Sequence, residues 1–471
     1  MSEETKFEFA MPSRRQMLKA ASSGFGYLAL SSLVHNAFAQ EKASDSSANP
    51  LVPKQPHFAA KAKRVIFLCM RGGPSHVDTF DYKPGLAKQD GKRGSFRGTL
   101  LKSPWKFKQR GKSGLWISEM FPELGKQADE LCLLRGMQTD QPVHTRAQTQ
   151  MHTGNAQFVR PSLGAWSLYG LGTENDSVPG FISINTAAGT GQNYGSSFLP
   201  AIYQGTKLKS GQGRSLARFT GRNKEVVPDI KNPRFSKAQQ KKQIDLIQQL
   251  NQQKLAREKR QPGIEGVIES YELAFRMQSS MPELVDLSKE DQKTLNLYGI
   301  GDSETDKFGR QCLLARRLSE SGVRFIEISH GSWDTHFDMG SKIPVLCNQI
   351  DKPISGLLTD LKQRGLLKDT LVIWAGEFGR TPYAQNGNGR DHNNKGYTTW
   401  MAGGGVKGGF SYGATDEIGY EAVEGKCHIH DWHATILHLL GLDHEQLTYR
   451  YAGRDFRLTD VHGNVLKDII A

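Results

Sequence analysis

Short apolar runs alternate with helical patterns over most of this chain of 471 residues. Arg64-Val-Ile-Phe-Leu-Cys-Met70 is continuously apolar after its first residue, as a strand covered on both faces must be. Leu131–Arg135, Phe181–Ile184, Val323–Ser329 and Thr370–Ala375 are further short, mainly apolar runs of strand length. The spacing between them predicts helices. Phe121 to Glu130 carries Pro122 in its first turn. A short helix is expected over residues 161–171, and two more over 236–258 and 263–277. Lys307 to Glu320 places Phe308, Cys312, Ala315 and Leu318 on one face, and Gly322 ends it. Leu346, Ile350, Ile354, Leu357 and Leu361 mark one side of a long helix that Pro353 should kink. A last helix is expected from His430 to Leu440. Strands separated by helices predict an α/β fold, with a parallel crossover between the Val323 and Thr370 strands.

Other stretches do not follow this alternation. Residues 1–39 read as an export leader. Ser13-Arg-Arg-Gln-Met-Leu-Lys19 is close to the twin-arginine pattern, a mildly apolar stretch follows, and Ala37-Phe-Ala39 fits a cleavage site. That stretch is too short and too rich in Ser and Gly for a stable membrane span, so none is expected after cleavage. Residues 40–62 read as a linker, and 63–471 as one large domain. Residues 82–118 read as an irregular basic excursion. A basic loop and the two helices near its end form an insertion over about 189–300. The glycines around Gly403 to Gly409 lack P-loop spacing and read as hairpin turns.

Charge adds one constraint. The net charge is +13, and the leader supplies only one of those units. A basic surface attracts anionic substrates or polymers. No basic motif interleaved with aromatic residues occurs, so nucleic-acid binding is not expected. The five cysteines lack a CxxC spacing and read mainly as small buried hydrophobes rather than a disulfide framework.

The candidate chemistry sits where strands end. The first strand runs into Arg71-Gly-Gly-Pro-Ser-His-Val-Asp78. The second runs into Gln141-Pro-Val-His144-Thr145-Arg146 and then Met151-His152-Thr153-Gly154. The Val323 strand runs into His330-Gly-Ser-Trp-Asp334-Thr-His336. The Thr370 strand runs into Gly376-Glu377-Phe-Gly-Arg380-Thr-Pro382 and Gly389-Arg-Asp-His392-Asn393. Ligands bind at the carboxyl ends of strands in open α/β sheets. Asp334, His336, Glu377 and His392, with His330 before them, are candidate metal ligands. Carboxylate with imidazole suits zinc, manganese or iron, and carboxylate with water suits calcium or magnesium. Ser75 and Thr145 are candidate nucleophiles, each needing a metal or a base. Arg146 and Arg380 are candidate anion clamps. His428, His430, Asp431 and His433 either cap the last helix or add ligands.

Taken together, the twin-arginine leader, Arg71–Asp78, Trp333–His336, Gly376–Pro382, Gly389–Asn393 and His430–Gly441 resemble the exported, sulfatase-like family labelled a domain of unknown function (1501). That family is placed in the alkaline phosphatase superfamily. The resemblance implies a three-layer α/β/α sandwich with a mostly parallel central sheet and a two-metal hydrolase site; one or two divalent metals (zinc, manganese or calcium) are expected here. It implies Asp78 as a ligand, Asp334 and His336 sharing one metal, and His392 as a further ligand. The superfamily's Asp-His pair is replaced by Glu377-Phe378. The sulfatase nucleophile position holds no Cys or Ser, which leaves Thr145 or His144 in its place. The expectation is an exported, periplasmic or extracellular, metal-dependent hydrolase of phosphate or sulfate esters acting on an anionic small molecule or glycan. The alternative is a catalytically silent binding protein on the same scaffold, holding an anionic glycan or an envelope partner.

Overall fold

In the computed structural model, which describes residues 50–93, 98–186, 193–209, 234–258 and 262–471, the apolar runs form one nine-stranded sheet. In chain order its strands are β1 (Arg64–Met70), β2 (Leu131–Gln138), β3 (Phe181–Ile184), β4 (Thr206–Leu208), β5 (Phe325–His330) and β6 (Thr370–Ala375). A two-stranded hairpin, β7 (Gly379–Gln385) and β8 (Gly389–Asn393), stands apart from the sheet. The sheet then continues with β9 (Tyr397–Ala402), β10 (Phe410–Tyr412) and β11 (Cys427–His428). The strand order is β10-β2-β9-β6-β1-β5-β3-β4, with β11 also paired to β2. Only β9 runs against the others.

β1 lies between β5 and β6, parallel to both. The strands expected to flank one crossover are therefore separated by the first strand of the domain. This is why their exits and that of β1 open side by side. The fully buried apolar stretch of β1 fits this central place, since both of its faces are covered.

The two faces carry different helices. Phe67 points to one face, where its ring lies 5.8 Å from Trp432 of the helix Ile429–Leu439 and 5.6 Å from His152 of the helix His144–Thr153. Phe181 and Phe325 share that face, and Phe181 packs against Gly164 of the helix Leu163–Leu171. The helices Asp306–Glu320 and Met339–Gln363 belong to the opposite face. The layers are thus helix, sheet, helix, as expected.

The Met339–Gln363 helix buries Ile343, Leu346, Cys347, Ile350, Ile354, Leu357 and Leu361 along one stripe. Truncating one such residue, as in Leu357→Ala, costs about 2–5 kcal/mol. The helix starts seven residues before Leu346 and continues through both Pro344 and Pro353.

Other expectations are modified. The helix near residue 124 is a 3₁₀ segment, Leu124–Glu130. The basic excursion contains a hairpin, Phe107–Arg110 with Leu115–Ser118. The second insertion helix extends from Pro262 to Val285, and Arg317 of the Asp306–Glu320 helix donates to its Glu283 and Leu284 carbonyls. Residues 50–62, read as linker, lie against the domain: Leu51 and Ala62 are buried, and the Lys61 and Ala62 amides donate to Leu439. All five cysteines are free and buried. The leader and much of the basic loop lie outside the described residues. Among the described residues no helix is long and apolar enough to cross a membrane.

Candidate metal centre

Four side chains from three exits meet at the carboxyl rim of the sheet: His144, Asp334, His336 and His392. His144 opens the helix after β2, Asp334 and His336 lie on the loop after β5, and His392 is on β8. The Nε2 atoms of His336, His144 and His392 lie 3.0, 3.2 and 3.5 Å from the same atom, Asp334 Oδ1.

Each ring is held from behind through Nδ1. His144 Nδ1 donates to Glu377 Oε1 at 2.6 Å, His392 Nδ1 to the Pro142 carbonyl at 2.6 Å, and His336 Nδ1 to Gln385 Oε1. A carboxylate or carbonyl oxygen only accepts, so each of these bonds places a proton on Nδ1, and in the neutral ring Nε2 then carries the lone pair. The His336 and His392 Nε2 atoms then face each other at 2.9 Å. Two lone pairs at that distance repel unless a cation lies between them. His144 Nε2 is buried with no hydrogen bond. The arrangement fits a divalent metal held by three imidazoles and one carboxylate, with acceptors behind the rings fixing their tautomers.

Local backbone features bring the groups together. β7 and β8 pair Arg380 with His392, and a bulge between Arg390 and His392 interrupts the ladder. Such a bulge re-aims side chains beside a site: Arg390 turns toward Asp78 and His392 toward Asp334. Gly72, at φ +114°, lets the β1 exit pass close to the Asp334 loop. A Cβ there would lie 2.5 Å from the Asp334 nitrogen.

The electrostatics are those of an ionised carboxylate among imidazoles. Partial burial works against the Asp334 charge, but the Arg380 guanidinium and His144 outweigh it and hold the carboxyl at about 2. Burial lowers His144, yet the bond to Glu377 and the charges of Glu377 and Asp334 outweigh it, and its pKa rises. Burial, followed by the charges of Arg380 and His144, lowers His392, consistent with a neutral ring.

The remaining expected residues are placed differently. Glu377 is buried behind the donors, where it accepts from the Gly72 amide, His144 and the Gln148 side chain. Asp78 is outside the group. It is fully buried, with its two oxygens 2.7 and 3.1 Å from the Arg390 fork and Ser75 Oγ at 2.5 Å. Arg380 is also fully buried. Its nitrogens donate to the Gly72, Gly73 and Arg390 carbonyls and to Asp334, so it orients Asp334 rather than holding a substrate anion. Thr145 and Arg146 are exposed in the first turn of the helix that His144 begins.

His330 is kept neutral at about 4, chiefly by burial, and bonds Gln349 and the Trp333 indole. The late histidines serve another helix: His430 and His433 bond the Gly154 and Met151 carbonyls at the end of His144–Thr153, and His428 caps its own helix. Gln385, Gln148 and the Pro142 carbonyl carried no chemical signal in the sequence, because amides and carbonyls act here only through where the chain puts them.

A cavity of about 710 Å³ adjoins Asp334. Apart from Asp334 and His330, its titratable lining is Lys307, Lys342 and Glu304, and Phe308 supplies an apolar wall.

Comparison with solved structures finds distant similarity. A lipoteichoic acid synthase, LtaP, from Listeria monocytogenes aligns at 10% identity over 85% of this chain and 76% of its own, with a TM-score of 0.38. The PsFucS1 sulfatase from Pseudoalteromonas sp. aligns at 13% identity over 89% and 72%, with a TM-score of 0.34. An alkaline phosphatase from the Antarctic bacterium TAB5 aligns at 12% over 73% and 92%, with a TM-score of 0.31. Overlaps this low carry no residue correspondence. No curated protein matches the sequence. A family model does match, over residues 62–470, which is nearly the whole domain that builds the rim, and the chain belongs to that family, described as Protein of unknown function (DUF1501).

Proposed function

We propose that the protein is an exported, metal-dependent hydrolase of phosphate or sulfate esters, working on an anionic small molecule or glycan at the rim. One observation carries the reading: three Nε2 atoms converge on Asp334 Oδ1 while each ring is held at Nδ1 by an acceptor. Among zinc, manganese and calcium, a set of three nitrogens and one oxygen favours zinc. A metal there supplies Lewis-acid polarisation of an ester oxygen and activation of a water.

The chain's own groups do the rest. Glu377, Gln385 and the Pro142 carbonyl hold the ring tautomers, and Arg380 keeps Asp334 ionised and oriented. The helix that starts at His144 presents its first-turn N–H groups beside the donors, where an anionic ester is favoured. Arg146, exposed in that turn, is the guanidinium assigned to the anion in this reading, and the Thr145 hydroxyl, beside His144, is its candidate side-chain nucleophile. Lys307 and Lys342 in the adjoining cavity favour a negatively charged substrate.

The engagement of Arg380 by backbone carbonyls favours a second reading, a silent protein that binds an anionic glycan, because it removes one anion clamp from the chemistry. Metal analysis followed by a panel of aryl phosphate, phosphodiester and sulfate substrates separates the two. The hydrolase reading expects bound metal and turnover that falls at least ~100-fold in Asp334→Ala. Metal without turnover on any of the three classes supports the binding protein.

A further inference from the structure

A second group of metal-type donors lies inside the domain. Cys69 of β1 and Glu327 of β5 share one face of the sheet, since Cys69 pairs with Ser329 and Glu327 with Phe67. His152, in the last turn of the helix that begins at His144, covers them. All three side chains are buried, Cys69 and Glu327 completely. Their ligand atoms lie within 4.8 Å of one another. Cys69 Sγ is 3.9 Å from His152 Nε2, and Nε2 is 3.4 Å from Glu327 Oε2.

Hydrogen bonding leaves this group incomplete. His152 Nδ1 donates to the Gln148 carbonyl at 2.7 Å, as in each rim histidine, so Nε2 turns toward the sulfur and the carboxylate. Glu327 Oε1 receives only Ser329 Oγ, at 3.3 Å, and Oε2 has no hydrogen bond. A buried carboxylate ordinarily has its oxygens satisfied. An imidazolium at His152 would balance the charge. Yet 3.4 Å exceeds the ~2.7–2.9 Å of a charge-assisted N–H···O bond. Around a tetrahedral zinc, bonds of ~2.3 Å to sulfur and ~2.0 Å to nitrogen and oxygen put neighbouring donors roughly 3.3–3.6 Å apart; the nitrogen–oxygen separation here is 3.4 Å and the sulfur–nitrogen one 3.9 Å, so the sulfur would draw in by a few tenths of an ångström on binding. A thiolate and a carboxylate also neutralise a divalent ion, which makes a buried centre tolerable.

We propose that Cys69, His152 and Glu327 form a buried structural site for zinc or another thiophilic divalent metal. Its binding releases the Cys69 proton to solvent. It braces the last turn of the helix whose first residue, His144, belongs to the rim. The proposal stands apart from the hydrolase reading, because it requires metal at this site and no turnover.

The test uses the whole chain expressed with zinc supplied, stripped of loosely held metal by gel filtration, and read by elemental analysis and zinc X-ray absorption. The wild type is expected to hold two zinc ions per chain, His392→Ala one, and Cys69→Ala and Glu327→Gln one each. The zinc retained by His392→Ala is expected to show one sulfur at about 2.3 Å. A zinc count unchanged in Cys69→Ala, or a first shell without sulfur in His392→Ala, overturns the proposal and leaves the rim reading intact. Rim zinc retained in Cys69→Ala and Glu327→Gln certifies that those variants fold. If neither folds, the His392→Ala spectrum alone decides. A wild type that holds only the sulfur-bound zinc, unchanged in His392→Ala, counts against the hydrolase reading and for this one.

Discussion

Asp78 and Asp334 are both aspartates that follow a strand of the same sheet, and both pair with an arginine of the β7–β8 hairpin, yet their surroundings give them opposite roles. Asp78 is sealed, with Arg390 and Ser75 taking up both its oxygens. Asp334 is nearly half exposed, and one of its oxygens faces three imidazole nitrogens as well as Arg380. The difference teaches that a carboxylate at a strand exit becomes a ligand candidate only where imidazoles leave their lone pairs facing it. A guanidinium fork that takes up both oxygens makes the same residue part of the core.

The comparison breaks most sharply at Arg390. Arg390→Ala strands a fully buried carboxylate and is expected to cost about 3–5 kcal/mol of folding stability, measured by urea denaturation of the metal-free protein. A loss near that of an ordinary surface change would mean that Asp78 is free to take another partner, a metal included.

At the other carboxylate the effect moves from folding to binding. Zinc at about 1,000 times its Kd is expected to raise wild-type stability by ~4 kcal/mol. His392→Ala is expected to remove the rim ion's increment, leaving any share from zinc at Cys69, and to change metal-free stability little, as read by thermal denaturation with and without zinc. Retention of the full increment excludes the rim as the zinc site.

Glu377 tests the support behind the ligands. Glu377→Gln keeps the shape but loses the charge that bonds His144, and is expected to weaken zinc binding about 10–100-fold by competition with a chelator. An unchanged affinity would show that His144 needs no anchoring.

The smallest effect separates rim from core by pH. His330 and His433 have folded values depressed to about 4 and about 3, burial being the first cause in each. Depressed histidines contribute stability that is present above their unfolded value, near 6.5, and lost as pH falls through the folded value. Metal-free stability is therefore expected to decline on acidification from about 6.5 toward 4. His433→Gln, which still reaches the Met151 carbonyl, should flatten part of that slope, as measured by urea titrations across the range. Identical slopes in the two proteins would remove His433 as a source of the acid sensitivity.

Much of the fold was legible from local pattern. The apolar run of β1, the face Phe308–Cys312–Ala315–Leu318 and the stripe from Leu346 to Leu361 are properties of neighbouring residues, and burial follows periodicity directly. The rim was legible as a list, since Asp334, His336 and His392 stand at strand exits in the sequence. The 3₁₀ segment at Leu124–Glu130 and the packing of residues 50–62 were not, because tertiary contacts override local preference there.

The division has a physical basis. From the sequence alone came the strand and helix pattern, the α/β class and the residues able to bind a metal, because these depend on side-chain chemistry and on spacing along one segment. Tertiary structure alone decided that His144 joins the donors, that Glu377 stands behind them, that Asp78 is neutralised by Arg390, and that Cys69 meets His152 and Glu327. Those pairings are set by strand order, by the bulge before His392 and by the close approach at Gly72, which bring together groups as much as 312 residues apart. Charge and lone-pair direction act over a few ångströms, a distance that sequence spacing does not encode.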